Sequence, residues 1–354
     1  MKNVMSMSKY LKSLFAHVAL CCLCACGDAP DCTNPEANMS VAINADGTAS
    51  NGAVYSQIDA TRFMLDFVKY EVDGSHLKII GYDNDNLPEV PKLYALVSID
   101  GTKYKTRIIR YAAFAGARIT SLVLPETVTD IGLNAFSDCY YLQELYIPDG
   151  VRVLGQGVFR RCTSLMSIDL PKALTMIPDY SFYACHSLRE VHLPKTVTTI
   201  GSYAFGDCKS LRSVDFSGGL TAIGEYAFRN CALLQNVDFP KSLTAIGEYA
   251  FLGCGSLNNV AFSNSLKDIR KGAFCACVAL VCVDFPETLA SIGSEAFGEC
   301  KNLKTVKFLC LLPPELDCDT FSSYPKAYVK QEALQTYKDT DVYSKLFSEI
   351  LPME

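Results

Sequence analysis

The 354-residue chain carries 17 cysteines, four histidines and 38 acidic residues, a stock from which a metal site, disulfides or a thiol nucleophile could be built. The decisive feature is the spacing of eight of the cysteines. Cys139, Cys162, Cys185, Cys208, Cys231, Cys254, Cys277 and Cys300 recur every 23 residues. Each follows a phenylalanine by three positions, at Phe136, Phe159, Phe182, Phe205, Phe228, Phe251, Phe274 and Phe297, and a leucine comes three further on. A period of this kind stacks equivalent residues in rows on adjacent coils, about 4.8 Å apart. Zinc needs four ligands converging on a tetrahedron, whereas a row presents its thiols in parallel. A disulfide needs Cβ atoms about 3.5–4.5 Å apart and turned toward each other. A catalytic thiol needs a polarising partner, and only Cys185 has a histidine beside it, the adjacent His186. The row is therefore expected to be reduced, buried packing whose S–H reaches a neighbouring carbonyl.

Ser213, His192 and Asp169 are of the types that make a hydrolytic triad, and the period sets them on three successive coils. An open repeat face offers no second layer to exclude water or supply oxyanion donors, so hydrolysis is not expected. No nucleotide loop or metal quartet occurs; the expectation is a non-enzymatic chain with no catalytic residue, metal or cofactor. The net charge of −6 and the lack of a Lys/Arg-rich run argue against a nucleic-acid partner. Outside the row, Cys310 and Cys318 flank Pro313-Pro314 and are candidates for a local bridge. Cys275 and Cys282 either face solvent or pair with something nearby.

The elements that hold these rows follow from one unit. Leu188-Arg-Glu-Val-His-Leu-Pro194 alternates apolar and polar residues as a half-buried strand does, and proline closes it. The remainder returns the chain to the next coil. A unit this short buries its apolar side only against its neighbours, which gives a solenoid with a phenylalanine spine. Period and pattern resemble leucine-rich repeats, and the Ala-Phe-x-x-Cys-x-x-Leu signature is similar to the BspA-like class of bacterial surface proteins. The resemblance implies a right-handed α/β-type horseshoe or gently curved superhelix. Its short strands are joined by irregular or short helical returns, with a β-hairpin N-terminal cap and a small C-terminal cap. The caps are expected at 61–110 and 309–354, around an array at 111–308. Ser217 and Ser263 stand in place of the strand-closing proline, and Pro178 and Arg270 in place of the return glycine.

At the N-terminus, Lys2, Lys9 and Lys12 precede a short apolar run ending in Leu23-Cys-Ala-Cys26. About 11 apolar residues are too few to span a bilayer. The segment resembles a bacterial lipobox, which implies a signal peptide over 1–25 and lipidation of Cys26. Residues 26–60, small, polar and acidic, read as a flexible tether.

Two rows of strand residues are left facing outward, and the middle of that face is acidic. Glu144, Tyr146, Asp169, Glu190, His192, Asp215, Asp238 and Asp284 are its candidate partner-binding residues. Asp215 and Asp238 are expected as direct neighbours whose like charges would repel unless a cation or basic partner bridged them. Tyr180, Tyr203, Tyr226 and Tyr249 form a further row, flanking the core or making an aromatic stripe that stacks on sugars. Resemblance to BspA-like proteins implies adhesion from a lipid-anchored position at the outer membrane or cell surface, the periplasmic face being the other possibility. Extracellular or host proteins of the matrix or mucosa, or other bacteria, are the implied partners. A carbohydrate-binding lipoprotein using exposed tyrosines is the alternative.

Overall fold

The computed structural model describes residues 40–353, in which short parallel strands stack coil upon coil. The expected signal peptide and Cys26 lie outside the described residues. The N-terminal cap is a sheet of β1 (Ser40–Ile43), β2 (Tyr55–Gln57), β3 (Arg62–Leu65), β4 (Val68–Asp73), β5 (His76–Tyr82), β6 (Leu96–Ile99) and β7 (Thr102–Ile109), in the order β1-β6-β7-β5-β4-β3-β2. Tight turns at Gly74 and Asp100-Gly101, all at positive φ, close the β4–β5 and β6–β7 hairpins. β7 continues in parallel into Asp130–Ile131 of the first coil, so cap and array share one hydrogen-bonded edge.

The tether expected over 26–60 does not extend past Ser40. β1 pairs in parallel with β6, Val41 opposite Val97 and Ile43 opposite Ile99, and Val41 and Ile43 are buried. The alternation Ser-Val-Ala-Ile sends its two larger apolar residues into the cap core, which outweighs the polar composition around it.

Every coil of the array but the one holding Asp169 contributes a strand of three or four residues, such as Glu190–His192 with only Val191 buried. A turn follows, closed by the N–H of the third residue after the proline, as from Val197 to the Pro194 carbonyl. Where serine replaces proline the same bond forms, from Leu220 to the Ser217 carbonyl and from Leu266 to that of Ser263. A second run of parallel two-residue strands comes next. Met176–Ile177, Thr199–Ile200, Ala222–Ile223, Ala245–Ile246, Asp268–Ile269, Ser291–Ile292 and Glu315–Leu316 make one seven-stranded sheet with the second residue turned inward. At Gly155 the coils approach so closely that a Cβ would lie 2.2 Å from the Leu133 nitrogen.

The returns contain no helix. Two residues in each stand in the left-handed region, one row (Asn134, Gly157, Tyr180, Tyr203, Tyr226, Tyr249, Gly272, Glu295) at φ between 53° and 61°. The other row lies four residues on, from Asp138 to Glu299, at 55° to 73°. That backbone cannot propagate a right-handed helix; its N–H groups bond to the following coil instead, as Phe205 to the Ala227 carbonyl at 2.8 Å. Among the described residues helices occur only in the C-terminal cap, as a 3-10 turn at Gln331–Ala333, α1 (Leu334–Asp339) and α2 (Asp341–Leu346). They set Tyr337, Tyr343 and Phe347 on Phe308, with ring centroids 5.6–5.8 Å apart.

Inside, the phenylalanine row forms a continuous stack with centroids 5.1–5.7 Å apart. Phe114 prolongs it at one end and Phe321 at the other. In the C-terminal half a second row, Phe216, Phe239, Phe262, Phe285 and Phe308, packs beside it, the first four meeting it edge-on at 68–82°. Offset and edge-to-face contacts are the favoured aromatic geometries.

Candidate binding surface

The three-residue strands turn their outer positions to solvent because the middle residue is the one the core needs. Glu144 lies opposite Ser121 and Tyr146 opposite Val123; Glu190 opposite Ser213 and His192 opposite Asp215; Asp238 opposite Ala261, and Ala261 opposite Asp284. Glu144, Asp169, Glu190, His192, Asp215, Asp238 and Asp284 are exposed, and Tyr146 is half-buried. The candidate residues thus share one face, but the hydrogen-bonded ladder beneath them is interrupted. Asp169 sits on a coil with no strand, and the sheet also breaks between Ser213–Asp215 and Asn236–Asp238.

That second break changes the expectation for Asp215 and Asp238, which are not cross-strand partners. The Asp215 carboxylate is instead 3.7 Å from His192 Nδ1, with both side chains more than two-thirds exposed, at 77% and 70%. Towards the C-terminus the face becomes mixed in charge. Asp284 pairs with Lys307 at 3.6 Å, and Lys326 with Glu349 at 2.8 Å. The Tyr146 hydroxyl donates to Glu126 Oε1 at 2.6 Å, and partial burial, then that carboxylate, push its pKa up.

The face was only partly drawn from sequence. It runs on through Tyr328, opposite Lys307, to Leu351 in the C-terminal cap. There the step from Thr305 to its partner Lys326 is 21 residues rather than 23, so a strict period misses it. The alternation in Lys326-Ala-Tyr-Val329 is the signal that finds it. Arg189 and Arg212, both exposed, adjoin the acidic row and were also missed.

No triad is assembled. Among the described residues no hydrogen bond joins Ser213 to His192, and the imidazole faces Asp215 rather than Asp169. The eight cysteines of the row are free and buried. Each thiol donates to the carbonyl of a phenylalanine on the preceding coil, Cys208 to Phe182 at 3.1 Å and Cys139 to Phe114 at 3.0 Å. Burial raises the Cys208 thiol well above its ordinary value and pushes Cys185 and Cys300 up to about 12, so none of these three is a thiolate at neutral pH. Cys310 and Cys318 form no bridge. Cys310 is buried and donates to the Pro286 carbonyl, while Cys318 is exposed. Cys275 is half-buried and Cys282 exposed, both free. No group of three or more potential metal ligands occurs among the described residues.

The tyrosine row makes a pile on the returns. Centroid distances from Tyr180 through Tyr203 and Tyr226 to Tyr249 are 5.0, 4.7 and 5.0 Å, with planes within 16° of parallel. Lying face to face, the rings cover one another and offer no coplanar platform.

Stacked parallel strands, inward leucines and isoleucines and a turn-built return define a leucine-rich repeat solenoid, a fold suited to protein interaction. A family model described as "BspA type Leucine rich repeat region (6 copies)" matches residues 107–234 and 221–313. The chain belongs to that family. Solved structures resemble it. A leucine rich cell surface protein from Faecalibacterium prausnitzii is 20% identical over 84% of this chain and 96% of that one, with a TM-score of 0.45. The T. pallidum leucine rich repeat protein is 30% identical over 57% and 91%, TM-score 0.48. The pneumococcal vaccine antigen PcpA is 16% identical over 83% and 99%, TM-score 0.43. No curated protein matches.

Proposed function

We propose that this chain is a non-enzymatic, lipid-anchored protein of the bacterial cell surface that holds an extracellular or host protein against its outer strand face, an adhesion role. The observation that carries the reading is a contrast between rows. Core rows repeat the same residue from coil to coil, whereas the outward row reads Tyr146, Asp169, His192, Asp215, Asp238, Ala261, Asp284, Lys307 and Tyr328. Repetition builds the scaffold; the variable row supplies recognition. A rigid scaffold loses little conformational entropy on docking, and several weak contacts along it act together.

The acidic character of the middle coils favours a basic patch on the partner. Such an interaction is steered by charge and weakens as salt shortens the screening length. The test is an array of matrix, mucosal and bacterial surface proteins probed with purified protein. It is repeated with Asp169, Glu190, Asp238 and Asp284 changed together to their amides. The expected outcome is a salt-sensitive hit that the amide variant loses; binding that ignores the four changes would move the site elsewhere. Anchoring is tested separately. Cys26→Ala should abolish acyl-chain incorporation and release the protein from the membrane fraction, and protease shaving of intact cells should remove the wild-type array.

A further inference from the structure

The tyrosine pile has one closed end and one open end. Side chains in this row lean toward the following coil. Two atoms of the Tyr249 ring lie 2.2 Å from where a Cβ on Gly272 would be, and Asn134 Oδ1 lies 2.3 Å from the same point on Gly157. Tyr249 therefore rests on a glycine, with the Lys271 ammonium 6.0 Å from its ring centroid, and that end is covered. At the other end the residue that would cover Tyr180 is Gly157, which has no side chain. Tyr180 is accordingly 40% exposed, while Tyr203, Tyr226 and Tyr249 are half-buried. The gap is one coil wide, and the pile's own spacing of 5.0 Å shows that a single flat ring fills such a step.

The backbone does not ask for tyrosine here. All four tyrosines stand at φ of 53–57°, where a bulky side chain is strained, while Asn134, Gly157 and Gly272 occupy the same register with residues that take this conformation readily. What the rings add is their faces. The rim of the gap is polar and carries both signs, with Arg160 on one side and Asp179, beside Tyr180, accepting from Gln156 Nε2 at 3.1 Å. Asn134 turns its amide oxygen to the place a Gly157 Cβ would take, 2.3 Å away, and the Arg160 Cβ lies 3.7 Å from the same point. The Arg160 guanidinium stands 6.0 Å from the ring of Tyr183, which meets Tyr180 edge-on at 5.9 Å. Among the described residues no ion pair engages Arg160, whereas its neighbour Arg161 pairs with Asp138 at 3.0 Å.

We propose that this slot binds one pyranose ring carrying an acidic group, a carboxylate or a sulfate ester. The C–H face of the sugar would lie on Tyr180, a hydroxyl would reach the Asn134 amide, and the acid would meet Arg160. An aromatic side chain from a protein partner would satisfy the ring and leave both polar groups unmatched. The site lies on the returns, away from the strand face, and does not depend on the adhesion reading above.

The experiment is saturation-transfer NMR on the purified full-length protein with glucuronic acid, glucose 6-sulfate and glucose as separate probes. The expected result is saturation of the ring C–H protons for at least one acidic sugar, stronger than for glucose, the two acidic arms reporting which acid is preferred. Tyr180→Asn introduces a side chain that the same register already carries at Asn134, so it should keep the circular dichroism spectrum. It should weaken binding about tenfold, the worth of one stacking contact. Arg160→Gln should erase the preference for acid while leaving residual stacking. Gly157→Tyr with Asn134→Gly should fill the slot and block binding. No saturation by any probe, a response unchanged in Tyr180→Asn, or glucose equal to both acids would each overturn the proposal. Binding of an acidic tyrosine-containing peptide where no sugar responds would reassign the slot to a protein side chain.

Discussion

Phe205→Ala is the sharpest test of the phenylalanine spine. Phe205 is fully buried and stacks on Phe182 and Phe228, each at 5.2 Å, with planes 2° and 8° from parallel. Truncating a buried phenylalanine to alanine costs about 3–5 kcal/mol. The upper half of that range is expected here, because both stacked neighbours lose a partner and the hydrogen-bonded coils above and below cannot collapse into the space. The Phe205 N–H to Ala227 carbonyl bond fixes the local coil spacing whatever the side chain. Stability in a solenoid is carried by nearest-neighbour interfaces, so the loss falls on the two interfaces around coil 205. Urea unfolding followed by circular dichroism should show a lower midpoint, with a broadened or split transition as the two halves uncouple. Phe205→Leu, which keeps an apolar filler, should cost much less. A loss below about 1 kcal/mol for the alanine variant would mean that the spine is not what couples the coils.

Four further outcomes follow from particular contacts. Gly155→Ala should destabilise the array by about 1–3 kcal/mol, since the new Cβ would lie 2.2 Å from backbone rather than against a yielding side chain; a neutral result by thermal melting would show that the coils can part freely. The buried thiols should resist alkylation in the folded protein and label on denaturation, with Cys282 and Cys318 labelling first. Cys185 and Cys300 titrate at about 12 when folded against 9.0 when unfolded, so the unfolded chain sheds their protons first. Their contribution is intact below pH 9 and lost as pH rises toward 12, by about 1.4 kcal/mol per pH unit per thiol, and a flat stability profile across that window would contradict it. His192→Ala should leave the unfolding midpoint unchanged, because its pair with Asp215 is open to solvent; a clear shift would mean the pair is structural.

What the sequence revealed and what it hid divide along a physical line. The phenylalanine, cysteine and leucine rows were legible because each position accepts one residue type. A 0% exposed ring between two rings tolerates little else, and a buried thiol both fills space and donates to a carbonyl about 3.1 Å away. The left-handed return positions were hidden because they constrain φ rather than identity. Asn134, Gly157, Tyr180 and Glu295 share one conformation and no chemistry, so only the four tyrosines stood out. The seven-stranded second sheet escaped because its strands are two residues long, too short to establish a period. β1 escaped for another reason: its burial is supplied by β6, more than fifty residues later, and no window around Val41 contains Val97.

The same division explains why the binding surface is the least legible part. The outward strand positions are held by the fold but not chosen by it, since Val191, Val214 and Val237 fix where Glu190, His192, Ser213, Asp215, Asn236 and Asp238 point without limiting what they are. A row free of structural demand can be tuned coil by coil to a partner, and its composition then records the partner rather than the fold. Tyr180 differs in kind, because there the backbone resists the residue that occupies it. A ring kept against a backbone preference, at the one place in its row where the next face stands open, records a demand from outside the chain more directly than any solvated aspartate.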